Sequence, residues 1–208
     1  MTSIMKKIAL LFYIKSTLML GSSWLQAQPW VPKLDSVMTI IAREEIFHGQ
    51  LLIAEEGVVL FDKAYGSLED ESANRKITAS TPLKIESVTK AFTVLSILLL
   101  ENRGLLKLND PLTKFLPELT YDQVTIRHLL SMTSGLPRFL ETAIKYGDTT
   151  QVISNEEIIK LVSKHQPKAE NPGNEFRYNN TNYILLASII ERVSNTSYDN
   201  FIQENIFK

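Results

Sequence analysis

Apolar residues recur along this chain at two spacings, which together predict a mixture of strands and helices. Alternation over 50–55 and 58–65, with Glu56-Gly57 between the two runs, predicts an antiparallel hairpin. Residues 67–79 are polar and predict a loop, and residues 139–154 show no clear period. Apolar residues at helical spacing predict helices over 34–46, 87–104, 126–132, from 155 or 156 onward, 182–193 and 198–207.

The helix predicted over 87–104 is apolar on nearly all sides after Lys90, which predicts burial all round. Gly104 follows the last apolar residue and is expected to take the left-handed conformation that ends a helix. The unbroken apolar run is about ten residues, whereas a membrane span needs about twenty. We therefore expect a core helix.

Ser87 and Lys90 lie three positions apart at the start of this helix, which places them on one face, one turn apart. A helix N-terminus and burial both disfavour an ammonium group, and a neutral amine could accept the serine proton. The pair is thus a candidate nucleophile and base. The alternative is that Ser87 only caps the helix, as serine at this position commonly does.

Tyr178 and Asn180 precede the apolar helix predicted over 182–193 and form a second candidate group. The hydroxyl of Tyr178 could lie near Lys90 and relay a proton to a leaving group. The amide of Asn180 offers a donor and an acceptor to a substrate. The alternative is an ordinary strand aromatic followed by a helix cap.

Composition excludes several functional classes. The chain has 208 residues, 44% hydrophobic, with a formal net charge of -1, which gives no reason to expect nucleic acid as a partner. It contains no cysteine, which excludes disulfides and thiol catalysis. His48, His128 and His165 are far apart in sequence and have no ligand-like spacing. We expect neither a metal site nor a cofactor.

The N-terminus has the pattern of an export signal, with Lys6 and Lys7 before a mostly apolar stretch over 8–20. Leu25-Gln26-Ala27 is a plausible cleavage site, so residues 1–27 are expected to be a signal peptide. The mature domain, residues 28–208, would then be periplasmic or secreted. The alternative is an uncleaved membrane anchor, which would be the only membrane contact.

Several short motifs occur together in one order. They are the hairpin between His48-Gly49 and Tyr65-Gly66, Ser87-Val88-Thr89-Lys90-Ala91-Phe92-Thr93, Gly104 through Pro111, Thr125 through Leu130 with Ser134-Gly135-Leu136, and Pro172-Gly173 through Tyr178-Asn179-Asn180-Thr181-Asn182-Tyr183. From about His48 onward the chain resembles the N-terminal part of the serine β-lactamase and penicillin-binding protein family, especially its class C and D-Ala-D-Ala carboxypeptidase-like branch.

The resemblance implies an α+β fold, in which an α/β sheet domain accompanies an all-helical domain. It also implies a monomeric serine hydrolase acting through an acyl-enzyme on β-lactams, D-Ala-D-Ala peptides or small esters and amides. Ser87 would be the nucleophile, Lys90 and Tyr178 would share the proton transfer, and Asn180 would hold the substrate and Lys90. Whether Lys90 or Tyr178 is the base stays open.

The chain departs from the family pattern in three respects, of which one, Met132 where a histidine is frequent, has no expected catalytic consequence. A Lys-Thr-Gly-like triplet on a strand beside the site is absent, so we expect the C-terminal strands to be lacking and these 208 residues alone to be inactive or poorly folded. The alternatives to a working hydrolase are a penicillin-recognising sensor without turnover and an inactive remnant. Glu86 replaces a small residue before the serine and would weaken a lysine base only if its carboxylate faced Lys90.

Overall fold

A computed structural model describes residues 29–68, 75–146, 153–165 and 168–208. The signal peptide predicted over 1–27 lies outside the described residues. Within the described ranges, no helix is long and apolar enough to cross a membrane. The chain divides after Lys84 into two compact units, which are considered separately below.

Among its described residues, the first unit contains one helix and the predicted hairpin. Its elements are α1 (Val31–Arg43), β1 (Gly49–Glu55), β2 (Val58–Tyr65), β3 (Ser67–Leu68) and β4 (Arg75–Lys76). β1 and β2 are antiparallel and joined by Glu56 and Gly57, whose φ values of 47° and 80° are those of a tight hairpin turn. The loop predicted over 67–79 is wrong where β3 and β4 pair, because two-residue strands are too short to show alternation.

The second unit is helical among its described residues. After a 3₁₀ turn (Glu86–Val88) come α2 (Thr89–Asn102), a second 3₁₀ turn (Leu112–Lys114), α3 (Ile126–Leu130), α4 (Phe139–Tyr146), α5 (Asn155–His165), α6 (Asn180–Ser194) and α7 (Tyr198–Asn205). α6 packs against α2, α3, α5 and α7 and is the centre of the unit. Four of its side chains are fully buried, and they follow the period of an α-helix: Leu185, Leu186, Ile189 and Ile190.

Helix α2 carries the predicted catalytic pair at its N-terminal end and ends as predicted. Gly104 has a φ of 72°, and the N–H of Leu105 donates to the carbonyl of Leu100 over 3.0 Å, closing a left-handed cap. The expectation of burial all round is wrong, because Leu95 and Leu98 are 51% and 42% exposed. Only the face that includes Ile97 and Leu100 joins the core.

Helix α4 falls in the segment for which no period was found. Phe139 and Ala143 are four residues apart and fully buried, while Leu140 and Ile144 are exposed. The helix is eight residues long, shorter than the 11 or more residues over which a helical period is recognised. The apolar pattern of this segment is therefore too short to predict a helix.

Two glycines with left-handed backbones provide a matched stability test. A Cβ added to Gly135 (φ 64°) would lie 1.8 Å from the carbonyl oxygen of Glu170, whereas a Cβ on Gly104 (φ 72°) would meet nothing within 4 Å. We expect Gly104→Ala to cost about 1–2 kcal/mol in backbone strain. Gly135→Ala should cost about 1–3 kcal/mol more, because the Glu170 backbone must move. Urea unfolding followed by circular dichroism measures both; equal costs would contradict the close approach.

Candidate active site

Ser87 lies in the 3₁₀ turn immediately before α2 and is exposed to solvent. The preceding residue, Glu86, has a φ of 44°. A non-glycine residue rarely adopts this left-handed conformation, and such strain is concentrated at functional sites. Ser87 does not cap the helix, since no side-chain cap hydrogen bond forms at this end of α2. The capping alternative is therefore excluded.

The hydroxyl of Ser87 contacts the two groups that were predicted to accompany it. Lys90 Nζ donates a hydrogen bond to Ser87 Oγ over 3.1 Å, and Ser87 Oγ lies 2.8 Å from Tyr178 Oη. Ser87 and Lys90 are one helical turn apart, whereas Tyr178 is 91 residues further along the chain. The structure thus brings the three predicted groups together.

The position of Tyr178 depends on its buried neighbour, Asn179. The Asn179 amide nitrogen donates to the Leu136 carbonyl over 2.7 Å, and its amide oxygen accepts from the N–H of Thr181 over 3.0 Å. Asn179 is therefore the N-cap of α6. On the other side of Tyr178, the N–H of Arg177 donates to the Met132 carbonyl over 2.9 Å. The backbone on both sides of Tyr178 is thus fixed.

A second buried contact joins the Ser134-Gly135-Leu136 motif to α6. Ser134 Oγ donates to Asn182 Oδ1 over 2.5 Å, and Asn182 Nδ2 donates to the carbonyl of Asn179 over 3.1 Å. Both side chains are about 1% exposed. The sequence contained Asn179, Asn182 and Ser134 in its motifs, but their spacing gave no indication that they bond to one another.

Asn180 is brought to the site but does not hold Lys90. Its side chain is exposed and makes no hydrogen bond among the described residues, so the predicted contact with Lys90 is not seen. The helix-cap alternative is also wrong, because Asn179 is the cap. Asn180 lines a cavity of about 390 Å³ together with Ser87 and Lys90. A cavity of about 480 Å³ adjoins it and shares Asn180, with Tyr178 in its wall.

Hydrogen bonding alters the acidity of Tyr178. The proximity of Lys90, and then the hydrogen bond with Ser87, lower the pKa of the Tyr178 phenol below its ordinary value. The pKa of the neighbouring Tyr183 is raised, first by burial and then by Tyr178. Tyr178 is therefore the more readily deprotonated of the two phenols.

Two aromatic rings lie close to the amine of Lys90. Its Nζ is 5.2 Å from the ring centroid of Tyr178 and 5.5 Å from that of Tyr183. Both distances are in the range in which a lysine cation is attracted to a ring face. Tyr183 was not predicted as a site residue. The available signal was its place at the end of the motif that contains Tyr178 and Asn180, to which no role was attached.

Glu86 is exposed and makes no ion pair with Lys90 among the described residues. Over the same residues, no group of three His, Cys, Asp or Glu side chains is placed to hold a metal ion. The chemistry we consider is therefore that of the serine, the lysine and the tyrosine.

Comparison with known proteins identifies the family. Residues 39–208 match the Beta-lactamase family. The chain belongs to this family. Penicillin-binding protein 4* of Bacillus subtilis (strain 168) is 34% identical over 175 residues, which are 84% of this chain and 39% of that protein. Protein flp of Staphylococcus aureus (strain MW2) is 36% identical over 76% of this chain and 32% of its own length. The chain thus spans well under half the length of these relatives.

Solved structures confirm the β-lactamase/transpeptidase-like α+β fold. The octameric penicillin-binding protein homologue from Pyrococcus abyssi aligns with a TM-score of 0.71 at 32% identity, covering 85% of this chain and 42% of that one. The D-amino acid amidase from Ochrobactrum anthropi SV3, complexed with L-phenylalanine, aligns with a TM-score of 0.59 at 28% identity, covering 76% and 42%. The Beta-lactamase family is thus one of serine hydrolases that includes penicillin-binding proteins and amidases.

Removing the lysine should restore the acidity of Tyr178. In Lys90→Met we expect the pKa of Tyr178 to rise towards about 10, the ordinary value, because the largest contribution that lowers it is lost. The measurement is an NMR pH titration of ¹³Cζ-labelled tyrosine, with Tyr178→Phe to assign the resonance. Lys107→Met is the control, since it removes an exposed lysine elsewhere. Equal midpoints in the two lysine variants would contradict the contact.

Proposed function

We propose that this chain is the N-terminal part of an exported serine hydrolase that forms an acyl-enzyme at Ser87. The observation that carries the proposal is the contact of Ser87 Oγ with both Lys90 Nζ and Tyr178 Oη, at 3.1 and 2.8 Å. A hydroxyl becomes a nucleophile when a neighbouring base accepts its proton as it attacks. This geometry supplies two groups within hydrogen-bond distance of that proton.

The hydrogen bond from Lys90 favours Tyr178 as the proton acceptor. Lys90 donates to a lone pair of Ser87 Oγ, which leaves Tyr178 Oη as the neighbour that can accept the serine proton. The single hydroxyl proton of Ser87 is then free to point at Tyr178 Oη. The lowered pKa of Tyr178 makes its phenolate accessible below the pH at which tyrosine usually ionises.

The reaction then has two half-steps. Ser87 Oγ bonds to the substrate carbonyl carbon while its proton passes to Tyr178. The bond from that carbon to the leaving nitrogen or oxygen breaks, and the leaving group takes the proton from Tyr178. Water attacks the resulting ester by the reverse path and releases the acid. The exposed amide of Asn180, beside the same cavity, is placed to bind a substrate amide.

The proposed substrates are β-lactams, D-Ala-D-Ala peptides, or small esters and amides. Similarity to a penicillin-binding protein and to a D-amino acid amidase supports a carbonyl bonded to nitrogen or oxygen as the reacting group. Export is proposed from the leader-like sequence of residues 1–27. The near-neutral charge supports a small-molecule or peptide substrate rather than nucleic acid.

Activation of Ser87 can be tested with a reagent that needs only a nucleophilic serine. A fluorophosphonate should add one phosphonyl group to Ser87 with loss of fluoride, detected as a mass increase and located by peptide mapping. Ser87→Ala should remain unlabelled, and Ser131→Ala, which removes an exposed serine away from Lys90, should label normally. Labelling elsewhere, or none in the wild type, would refute activation. A penicillin and a p-nitrophenyl ester then test the substrate class.

Replacing Tyr178 by phenylalanine separates the two candidate bases. The ring near Lys90 is kept, while the oxygen that accepts the proton is removed. We expect the rate of Ser87 labelling to fall by about 10²–10⁴-fold, the usual contribution of a general base. The rate is measured from the time course of the mass increase. A rate within about twofold of wild type would assign the base to Lys90 instead.

A further inference from the structure

Tyr183 lies one turn into α6, beside the site, in a position fixed by its surroundings. Its side chain is half-buried and packs against the core of the helical unit. Its hydroxyl donates to the carbonyl of Leu130, at the end of α3, over 3.3 Å. Its ring centroid lies 5.5 Å from Lys90 Nζ. A ring anchored at both ends thus faces the amine of the candidate site.

We propose that Tyr183 is a positioning residue, whose ring holds the amine of Lys90 where it reaches Ser87 Oγ and Tyr178. The consequence for catalysis rests on the proposed function, but the positioning itself does not. No relative's name and no motif assigned a role to this side chain.

The need for a positioning group follows from the nature of lysine. Its four-carbon stem is flexible, and holding its amine in one place costs side-chain entropy. A carboxylate partner usually limits this freedom, but no ion pair of Lys90 occurs among the residues that the structure describes. The contacts available to the amine there are the Ser87 hydroxyl and the two tyrosine rings.

Of those three contacts, Tyr183 is the one that does not depend on the reaction. Ser87 changes its bonding when it is acylated, and Tyr178 is 51% exposed and exchanges protons in the proposed mechanism. Tyr183 is anchored by α6 and by the Leu130 carbonyl, and burial raises the pKa of its phenol, so that it stays neutral. Its ring can therefore hold Lys90 throughout a catalytic cycle.

Few other titratable groups among the described residues line the cavity beside Lys90, so a change in the pKa of Tyr178 can be traced to a movement of Lys90. Glu86, on the 3₁₀ turn, and Tyr198, on α7, line the same cavity, and Tyr198 is engaged with Thr93 Oγ1 at 2.7 Å. α5 contributes only the neutral Asn155 to that cavity. Tyr178 reports the position of Lys90, because the proximity of Lys90 is the largest cause of its lowered pKa.

The test compares Tyr183→Leu, which removes the ring, with Tyr183→Phe, which keeps it and removes only the bond to Leu130. The full 208-residue chain is titrated with ¹³Cζ-labelled tyrosine, as described for Lys90→Met. We expect Tyr183→Phe to leave the Tyr178 midpoint near that of wild type. Tyr183→Leu should raise it about as far as Lys90→Met does. A role in packing alone predicts loss of stability without this shift.

An unchanged Tyr178 midpoint in a folded Tyr183→Leu chain would overturn the proposal. If Tyr183→Leu does not fold, a measurement on the wild-type chain tests the contact between Tyr183 and Lys90 instead. A nuclear Overhauser effect between the Lys90 Cε protons and the Tyr183 ring is expected, and its absence would refute the contact. Failure of the proposed function would give a different result. Ser87 would then not be labelled by the fluorophosphonate, while the Overhauser effect and the midpoint of the Tyr178 titration would be unchanged.

Discussion

The buried side chain of Asn179 is the constraint on which the candidate site depends. Its amide bonds to two backbone carbonyls of the segment after α3, those of Leu136 and Pro137, and to the first turn of α6. An unpaired amide in this position would cost about 1–3 kcal/mol. The segment and the helix are therefore fixed together, and Tyr178, the residue directly before Asn179, is held against Ser87.

Hydrogen bonding also explains why several polar side chains are buried in an otherwise apolar unit. Ser134, Asn179, Thr181 and Asn182 are all buried, and each bonds to another of the four or to nearby backbone. Hydrogen bonds of this kind contribute little net stability, but they demand one geometry, whereas apolar packing tolerates many. The apolar residues of α6 hold the helix in the core, and the polar ones determine how it is rotated and where it begins.

Periodicity in the sequence was sufficient to predict the long elements. The hairpin, α2 and α6 have enough residues for an apolar period to emerge, and Gly104 takes the predicted left-handed cap. Helix α4 and the β3–β4 pair are too short for that. Ser87, Lys90 and Tyr178 were found from their motifs, and their meeting was expected. The contacts of Asn179 with Leu136 and of Tyr183 with Leu130 join residues that are distant in sequence, so only the folded chain reveals them.

The site combines Tyr178, whose backbone is fixed, with Lys90, whose side chain is flexible, and this difference bears on which of the two would act as the base. Tyr178 is exposed, yet the backbone on both sides of it is bonded to Met132, so its hydroxyl meets solvent from a fixed position. Lys90 is flexible, and the structure surrounds its amine with a hydroxyl and two ring faces rather than with a carboxylate. Lys90 donates to Ser87 and is the largest cause of the lowered pKa of Tyr178, so one side chain acts on both of the groups between which the proposed mechanism passes a proton.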